Sequence, residues 1–562
     1  MSSSDAQTYT STRGGSSGLS FEDVVLKGLA EDGGLFVPQS IPLLPSNWRE
    51  WASLSFEDLA FEIMSLYIAR SEIDSESLKE IVRKSYGTFR HKDVTPLVPL
   101  DKAKNLYLLE LFHGPTFAFK DVALQFLGNL FEYFLVRRNA NLQEGEKRHH
   151  LTIVGATSGD TGSAAIYGLR NKKDVSVFIL FPTGRVSAVQ EAQMTTVLDP
   201  NVHCLSVAGT FDDCQDMVKA LFADTEIRKS QHLAAVNSIN WARILAQITY
   251  YFSAYFSLVR QEGLDPNGEP PHVTFTVPTG NFGDILAGFF AKRMGLPIAK
   301  LVVATNENDI LYRFWQAGKY EKKYAPPNDP STHGGIAADG AAAHEEGVKE
   351  TLSPAMDILV SSNFERLVWI LLYEQQLGAP ATTTATATGE GNTADAARRQ
   401  ASKDINSLFA SLKASGSFEV SQPVLQAALG DFGAERVSDD ETVATIKAIY
   451  AGNDAYILDP HSSIGVTAAL RSIAKTFEDP LPQHTRRYLV SLATAHPAKF
   501  ANAVDLALSG VQAYTFADII PAEFAGLEQK ERKVRLIAAQ DRSLAGIRSV
   551  IVDEVRKESV AS

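Results

Sequence analysis

At 562 residues the chain is too long for one ordinary domain; at roughly 150 residues per domain, three or four are expected. Hydrophobic residues at 45% allow a buried core, and 53 Lys plus Arg against 66 Asp plus Glu give a net charge of -13, which argues against a general nucleic-acid binder but not against a local basic pocket for a small anion. Two cysteines, Cys204 and Cys214, form neither a disulfide framework nor a metal-ligand pattern and fit a reducing compartment. Residues Met1-Ser2-Ser3-Ser4-Asp5 do not open a secretory signal, no apolar run approaches ~20 residues, and Val560-Ala561-Ser562 is no recognised address, so a soluble cytoplasmic protein with no membrane span is expected.

The chain opens on Tyr9-Thr10-Ser11-Thr12-Arg13-Gly14, followed by a helical run from Phe21 to Ala30. A glycine turn, Gly33-Gly34, then feeds a short extended Leu35-Phe36-Val37-Pro38. Residues 55 to 85 predict helix, with Leu59, Ile63, Leu66 and Ile68 among charges. From Thr95 onward strands alternate with helices. Strands are predicted at 151–154, 175–181, 202–207, 273–277 and 301–304, with helices from Ser163, from Ala188, from near Asp212 and Asp213 as N-caps, and from Ile285 to Arg293. Near-continuous apolar strands alternating with helices predict a parallel sheet covered on both faces. Residues 325–350 are rich in Pro, Gly and Ala, and 379–401 are of low complexity, which predicts a mobile surface loop. Helical stretches lie at 364–376 and 440–450, and the α/β pattern resumes with 455–459 and 488–494. The organisation is therefore read as an N-terminal domain (1–94), catalytic α/β lobes (95–320 and 450–520), a mostly helical insertion (321–449) and a C-terminal helical segment (521–562).

The chemistry centres on His113-Gly114-Pro115-Thr116-Phe117-Ala118-Phe119-Lys120-Asp121. Lys120 stands among apolar side chains after a Gly-Pro turn and before a helix-like run. Burial disfavours its ammonium and lowers its pKa. A neutral amine condenses with an aldehyde, so the position suits the lysine that carries pyridoxal 5'-phosphate (PLP). Taken alone, the same pattern also fits a lysine snorkelling at a helix start.

Two glycine turns join strands to helices. Gly280-Asn281-Phe282-Gly283-Asp284 fits backbone amides closing around a phosphate at a helix N-terminus, and equally an ordinary strand-to-helix turn. Asp284 suits the first helical turn in either case. The second, Gly155-Ala156-Thr157-Ser158-Gly159-Asp160-Thr161-Gly162, lacks the Gly-Lys-Ser/Thr of a nucleotide P-loop, which argues against ATP. It suits a carboxylate held by hydroxyls and amides. It carries no Gly-x-Ser-x-Gly elbow, so a serine hydrolase is not expected. His149, His150, His333 and His344 are not completed by a carboxylate or cysteine, and no metal site is predicted.

In this order, Phe119-Lys120-Asp121, Ser158-Gly159-Asp160-Thr161-Gly162 and Gly280-Asn281-Phe282-Gly283 resemble the fold-type II PLP enzymes. The wider wording resembles the long class of threonine synthases. It comprises Ser11-Thr12-Arg13-Gly14, Asp32-Gly33-Gly34-Leu35, the Lys120 stretch, Phe181-Pro182-Thr183-Gly184-Arg185, Phe211-Asp212-Asp213-Cys214-Gln215 and Ala493-Thr494-Ala495-His496-Pro497-Ala498-Lys499-Phe500. The resemblance implies a tryptophan-synthase-β-like fold of two parallel-sheet lobes with an N-terminal domain and a helical insertion. It implies that Lys120 holds PLP, that Gly280, Asn281, Phe282, Gly283 and Asp284 hold its phosphate, and that Thr494 faces the pyridine nitrogen. A threonine there cannot keep that nitrogen protonated as an aspartate would, which limits side reactions such as transamination. Asp160 stands where many relatives have Asn; it either contacts the cofactor ring or only caps a helix.

The expected reaction is conversion of O-phospho-L-homoserine and water to L-threonine and phosphate, with Lys120 as general acid and base. Thr157, Ser158, Gly159, Asp160 and Thr161 are expected to hold the substrate carboxylate. Arg185 and Arg243 are the candidate cations for its phosphate, each equally readable as a surface charge or an ion pair. The rivals are another fold-type II enzyme, such as a threonine dehydratase or a cysteine-forming β-replacement enzyme, and a non-catalytic PLP-binding protein. The Ser-Thr-Arg-Gly and Asp-Gly-Gly-Leu segments argue against the first, and intact Lys120 with both anion nests against the second. A small-molecule substrate, no nucleic acid, no membrane, and a monomer or homodimer complete the expectation.

Overall fold

The computed structural model describes residues 7–143, 145–157, 159–322, 348–380, 391–452, 455–476, 486–511 and 514–561. Strands β1 (Tyr9–Ser11), β2 (Ser17–Leu19) and β3 (Phe36–Pro38) form a small antiparallel sheet in the order β2-β1-β3. Strands β4 (Leu97–Asp101) and β5 (Leu106–Glu110) begin a second sheet. The chain crosses to a third sheet for β6 (Leu151–Ala156), β7 (Val175–Pro182), β8 (Val202–Val207) and β9 (Leu233–Ala234). It returns to the second for β10 (His272–Pro278) and β11 (Ile298–Thr305), and makes a ribbon from β12 (Lys319–Glu321) and β13 (Ser417–Glu419). It then completes the second sheet with β14 (Phe432–Arg436) and β15 (Arg487–Ala493), and ends by adding β16 (Val534–Ile537) to the third.

The larger sheet has the order β14-β11-β10-β15-β5-β4, parallel except for the β4–β5 pair. The other, β16-β8-β7-β6-β9, is wholly parallel. Every residue of β7 and β8 is buried, as strands covered on both faces require. In each sheet the order reverses where strands diverge, and the loops beyond the C-terminal strand ends meet there, which is where open α/β sheets place their ligands. The N-terminal domain shares this core: Tyr9 and Tyr67 pack on Trp241, at 5.9 and 5.7 Å between ring centroids, and Trp241 packs on Phe290.

The structure departs from the sequence-based elements at several places, among them residues 55–85, which form two helices, Phe56–Ser65 and Ser75–Tyr86, with a break between. Residues 455–459 do not form a strand; Asp459 accepts from the backbone N–H groups of His461 and Ser462, and that carboxylate starts the helix Pro460–Thr476 instead. The helix after β8 starts at Phe211, capped by Thr210 rather than by Asp212 or Asp213; Asp213 is the reciprocal member of a capping box. Of the low-complexity stretch, residues 391–401 belong to the helix Gly391–Ser415, not to a loop. Ala394, Ala397 and Ala401 recur at helical spacing and are buried, and Trp369 Nε1 donates to Ser402 Oγ at 3.1 Å. Finally, 321–449 is helical at Phe364–Leu377, Gln422–Asp431 and Asp439–Gly452, but it also supplies β14 to the catalytic sheet, and the C-terminal segment supplies β16 before its helix Leu544–Ala561. Among the described residues no helix is long and apolar enough to cross a membrane.

Candidate active site

A cavity of about 1310 Å³ lies between the two parallel sheets. Four chain segments that follow strand ends form its floor: the loop to Lys120 after β5, Thr157–Gly162 after β6, Thr279–Asp284 after β10, and Thr494 after β15.

Lys120 opens the helix Lys120–Ala140. The loop before it is fixed from both sides. Thr116 N and Oγ1 each donate to the buried Asp121 carboxylate at 2.7 Å, Phe119 N donates to Thr494 O at 2.8 Å, and Ala118 bridges Ala495. Burial drives Asp121 up to about 6 against those hydrogen bonds. A Cβ at position 114 would meet Asp121 Cβ at 2.4 Å, so this turn requires glycine. Lys120 itself lines the cavity, with Nζ 4.9 Å from the centre of the Phe119 ring. Burial lowers its pKa, opposed by the negative Asp160 and reinforced by the positive Arg243 and Lys499.

Asp160 is the first residue of the helix Asp160–Leu169. Burial alone would raise its carboxyl, but Lys499 and Lys120, with hydrogen bonds from Lys499 and Gln190, hold it near about 2. Lys499 Nζ lies 2.8 Å from Asp160 Oδ1 and donates to Thr116 O at 2.7 Å; Gln190 Nε2 reaches the same Oδ1 at 2.8 Å. The carboxylate is therefore bound into the floor by two side chains and does more than cap its helix. Thr157 Oγ1 accepts from Gly159 N and Gly162 N at 3.0 and 2.9 Å. Its hydroxyl shapes the turn, and the N–H groups of Asp160 and Thr161 are the donors that this helix start offers a ligand. Gly159 admits no side chain, since a Cβ would meet the Gln190 amide at 2.7 Å. Ser158 lies outside the described residues.

The Gly280–Asp284 turn enters the helix Gly283–Met294 through Phe282 in the left-handed conformation, φ 63°. A phenylalanine there is strained. Its ring is held by Trp315, Phe364 and Phe432, with centroids 5.5 to 5.9 Å away, and this packing fixes the turn. Asn281 O accepts from Asn363 N and Nδ2 at 3.1 and 3.0 Å, and Ser361 Oγ donates to Gly280 O at 2.7 Å. With its carbonyls tied back, the turn presents N–H groups to the cavity. Arg366 is fully buried, bonding Asn363 Oδ1, Phe36 O and Ile239 O, and so joins this turn to the N-terminal sheet.

Arg243, 4% exposed, lines the cavity; Nη1 donates to Val236 O at 2.8 Å and Nε is buried without a partner. Burial lowers its pKa to about 10. Arg185 is exposed and absent from the cavity wall; the Gly184 turn leaves it on the surface beyond β7. Arg185 thus stands outside the cavity that would receive the substrate phosphate. The mouth instead carries Lys27, Lys219, Arg228 and Lys229.

Sequence reasoning also missed a buried chain behind Thr494. Thr494 N donates to Ser462 Oγ at 3.0 Å, Ser462 Oγ donates to Asp459 Oδ2, and His461 Nδ1 donates to Asp459 Oδ1 at 2.9 Å. His461 Nε2 accepts from Ala355 N at 3.2 Å, which anchors the wall segment 354–360. Asp-Pro-His-Ser reads in sequence only as a helix start; nothing in it shows that its imidazole reaches a segment more than a hundred residues earlier. Among the described residues no cluster could hold a metal ion.

These residues fit PLP. A lysine whose pKa is lowered stands between a glycine turn at a helix N-terminus and a threonine at a strand end, and Asp284 Oδ2 and Arg243 Nε are buried without a partner in residues of the cavity lining. The fold and this site define a PLP-dependent enzyme of fold type II. Family models match residues 8–86 (threonine synthase N terminus), 89–387 (pyridoxal-phosphate dependent enzyme) and 462–551 (threonine synthase, C-terminal). The threonine synthase of Schizosaccharomyces pombe is 56% identical over 93% of this chain and 94% of its own length. The crystal structure of threonine synthase from yeast aligns with TM-score 0.85 at 49% identity, covering 98% of this chain and 99% of that one. PLP-bound threonine synthase from Brucella melitensis aligns with TM-score 0.78 at 40% identity, covering 98% and 99%. The chain belongs to the threonine synthase family.

Proposed function

We propose that the protein converts O-phospho-L-homoserine and water to L-threonine and phosphate. The observation that carries this reading is Lys120, whose pKa desolvation lowers, in a cavity with two glycine turns at helix N-termini, in a chain that matches threonine synthases along nearly its whole length. When bound, PLP supplies the electron sink that acidifies the substrate Cα and Cβ protons.

The remaining work falls to this chain's residues. Lys120 would anchor the cofactor; its amine, when free, would remove the Cα proton, take the Cβ proton as phosphate leaves Cγ, deliver a proton to Cγ to make the methyl group, and return a proton to Cα once water has added at Cβ. Its lowered pKa suits both halves of that exchange. The N–H groups of Asp160 and Thr161 hold the substrate carboxylate at the helix start. Thr494 is fixed through both backbone groups, and its hydroxyl would face the pyridine nitrogen. Arg243 is the cation assigned to the leaving phosphate, supported by its place in the cavity lining. Lys27, Arg228 and Lys229 at the mouth draw in a dianion on a chain that is acidic overall.

The test is stoichiometric. Purified enzyme with O-phospho-L-homoserine is expected to release phosphate and L-threonine one for one. Release of a 2-oxo acid and ammonia instead would assign it to the dehydratase type.

A further inference from the structure

The Gly280–Asp284 turn is braced along one side by residues 354–363, of which 354–360 line the cavity. A Cβ at position 280 would meet Ala355 O at 2.8 Å and Met356 Cα at 3.3 Å, so this backbone lies directly on the turn. The far end of the segment is tied to the turn by Ser361, which bonds Gly280 O, and by Asn363, which bonds Asn281 O. Its middle is tied to the residue after β11, since Asp357 accepts from Asn306 Nδ2 at 2.8 Å. The end that touches Gly280 is held by a side chain: Ala355 N donates to His461 Nε2 at 3.2 Å. A nitrogen that accepts from an N–H carries no proton, so this geometry fixes His461 as the neutral tautomer with its hydrogen on Nδ1. Asp459 Oδ1 takes that hydrogen at 2.9 Å. The same carboxylate caps the helix Pro460–Thr476 by accepting from His461 N and Ser462 N. The two backbone bonds alone would complete that cap, so it needs neither the imidazole nor Ala355. Phe500 crosses the imidazole edge-on, with centroids 4.8 Å apart, and limits its rotation. A buried ring held in one tautomer and one orientation, with its acceptor on a wall strap, has a use beyond the cap.

We propose that His461 is a positioning residue for the cofactor phosphate: Asp459 fixes its tautomer, and its Nε2 holds Ala355 against Gly280, so that the turn keeps the spacing in which its N–H groups surround a phosphate. It acts through the backbone of Ala355 and not by touching the cofactor. The role requires an unprotonated Nε2, because an Nε2–H would set two donors face to face and release the wall. Through Ser462 Oγ the same Asp459 carboxylate also fixes Thr494 N, so one buried group sets both ends of the cofactor site. The inference rests on PLP as the cofactor and on the Gly280–Asp284 turn as its phosphate site.

Two replacements separate the ring nitrogens. An asparagine amide reaches only as far as Nδ1, so His461→Asn keeps a donor to Asp459 and loses the acceptor for Ala355. The longer glutamine reaches the Nε2 position, so His461→Gln keeps the acceptor. Apoenzyme is titrated with PLP and with pyridoxal, which has the aldehyde but no phosphate, and the absorption of the lysine-bound cofactor is followed. Wild type is expected to prefer PLP. His461→Asn should lose about tenfold of that preference, through weaker PLP binding with pyridoxal unchanged, and His461→Gln should keep it within about threefold. An undiminished preference in His461→Asn overturns the proposal, as does an equal loss for both ligands, which marks a general effect on the fold. No preference in wild type overturns instead the assignment of the phosphate turn, and this inference with it. If His461→Asn does not fold, 15N NMR of histidine-labelled wild type decides. The His461 ring, assigned by its absence from His461→Gln, should carry hydrogen on Nδ1 alone, and hydrogen on Nε2 overturns the proposal.

Discussion

Lys499 Nζ and Asp160 Oδ1 lie 2.8 Å apart, with side chains 0% and 6% exposed, and they set the charge of the cavity floor beside Lys120. The pair is anchored at both ends: Lys499 also bonds Thr116 O, in the loop that delivers Lys120, and Asp160 also accepts from Gln190. Asp160 thus stays anionic and helps to retain positive charge on Lys120, while Lys499 and Arg243 oppose it. The charge on the Lys120 amine is a balance of Asp160 against Lys499 and Arg243, and Lys499 comes from near the far end of the chain.

Removing Lys499 therefore strands a buried carboxylate. Lys499→Met is expected to cost about 3 kcal/mol of stability, read as the shift in a urea unfolding curve. Asp160→Asn in the same chain should restore most of that loss, because the uncompensated charge is gone. A double variant no more stable than the single would refute the account. The pair also carries an acid signature. Asp160 is depressed from an unfolded value near ~3.9 to about 2, so its stabilisation is present above pH ~4 and is lost as pH falls through about 2.

Lys120→Ala removes both the anchor and the proton carrier. The visible absorption of lysine-bound cofactor should vanish, and turnover should fall by at least about 10³-fold, within the range that acid–base catalysis supplies. Cofactor covalently held by another lysine, with activity preserved, would show that the anchor was misassigned.

The cavity-lining candidates were legible in sequence because each stands in a short local pattern: glycine turns between strand and helix, and one lysine in an apolar run. What stayed hidden was contact between distant segments. Lys499 reaches Thr116, His461 reaches Ala355, and Arg366 reaches Phe36, and no periodicity encodes such pairs. Arg185 stands apart. A strand end points toward the ligand crevice, but after the Gly184 turn, φ 70°, its side chain is exposed and does not line the cavity. The central β strands were readable because both faces are covered; β14, with small and polar residues at its edge position, and the short β9 and β16 were not.

Composition misjudged 391–401 because alanine is both a low-complexity residue and the best helix former. Ala401 is fully buried where the helix Gly391–Ser415 meets Phe364–Leu377. Ala401→Asp is expected to destabilise the protein by about 3 kcal/mol, through overpacking and an unpaired buried carboxylate. Thermal unfolding reads the effect, and a melting temperature within a degree of wild type would show that this face does not pack as described.

The last prediction separates two arginines. The phosphate leaving Cγ develops charge that must be met in the transition state. Arg243 is 4% exposed and lines the cavity; Arg185 is exposed beyond β7 and does not. A guanidinium grips phosphate through a planar fork that an ammonium cannot reproduce. Arg243→Lys is therefore expected to lose at least about tenfold in kcat/KM for O-phospho-L-homoserine, roughly 1.4 kcal/mol, with the cofactor spectrum unchanged. Arg185→Lys should leave kcat/KM within about twofold of wild type, as surface substitutions usually do. If the two variants exchange these outcomes, the cavity closes around substrate by bringing the β7 loop inward, and the phosphate belongs to Arg185. If neither loses activity, the leaving group is met by the cations of the mouth, and Lys27, Arg228 and Lys229 become the residues to replace.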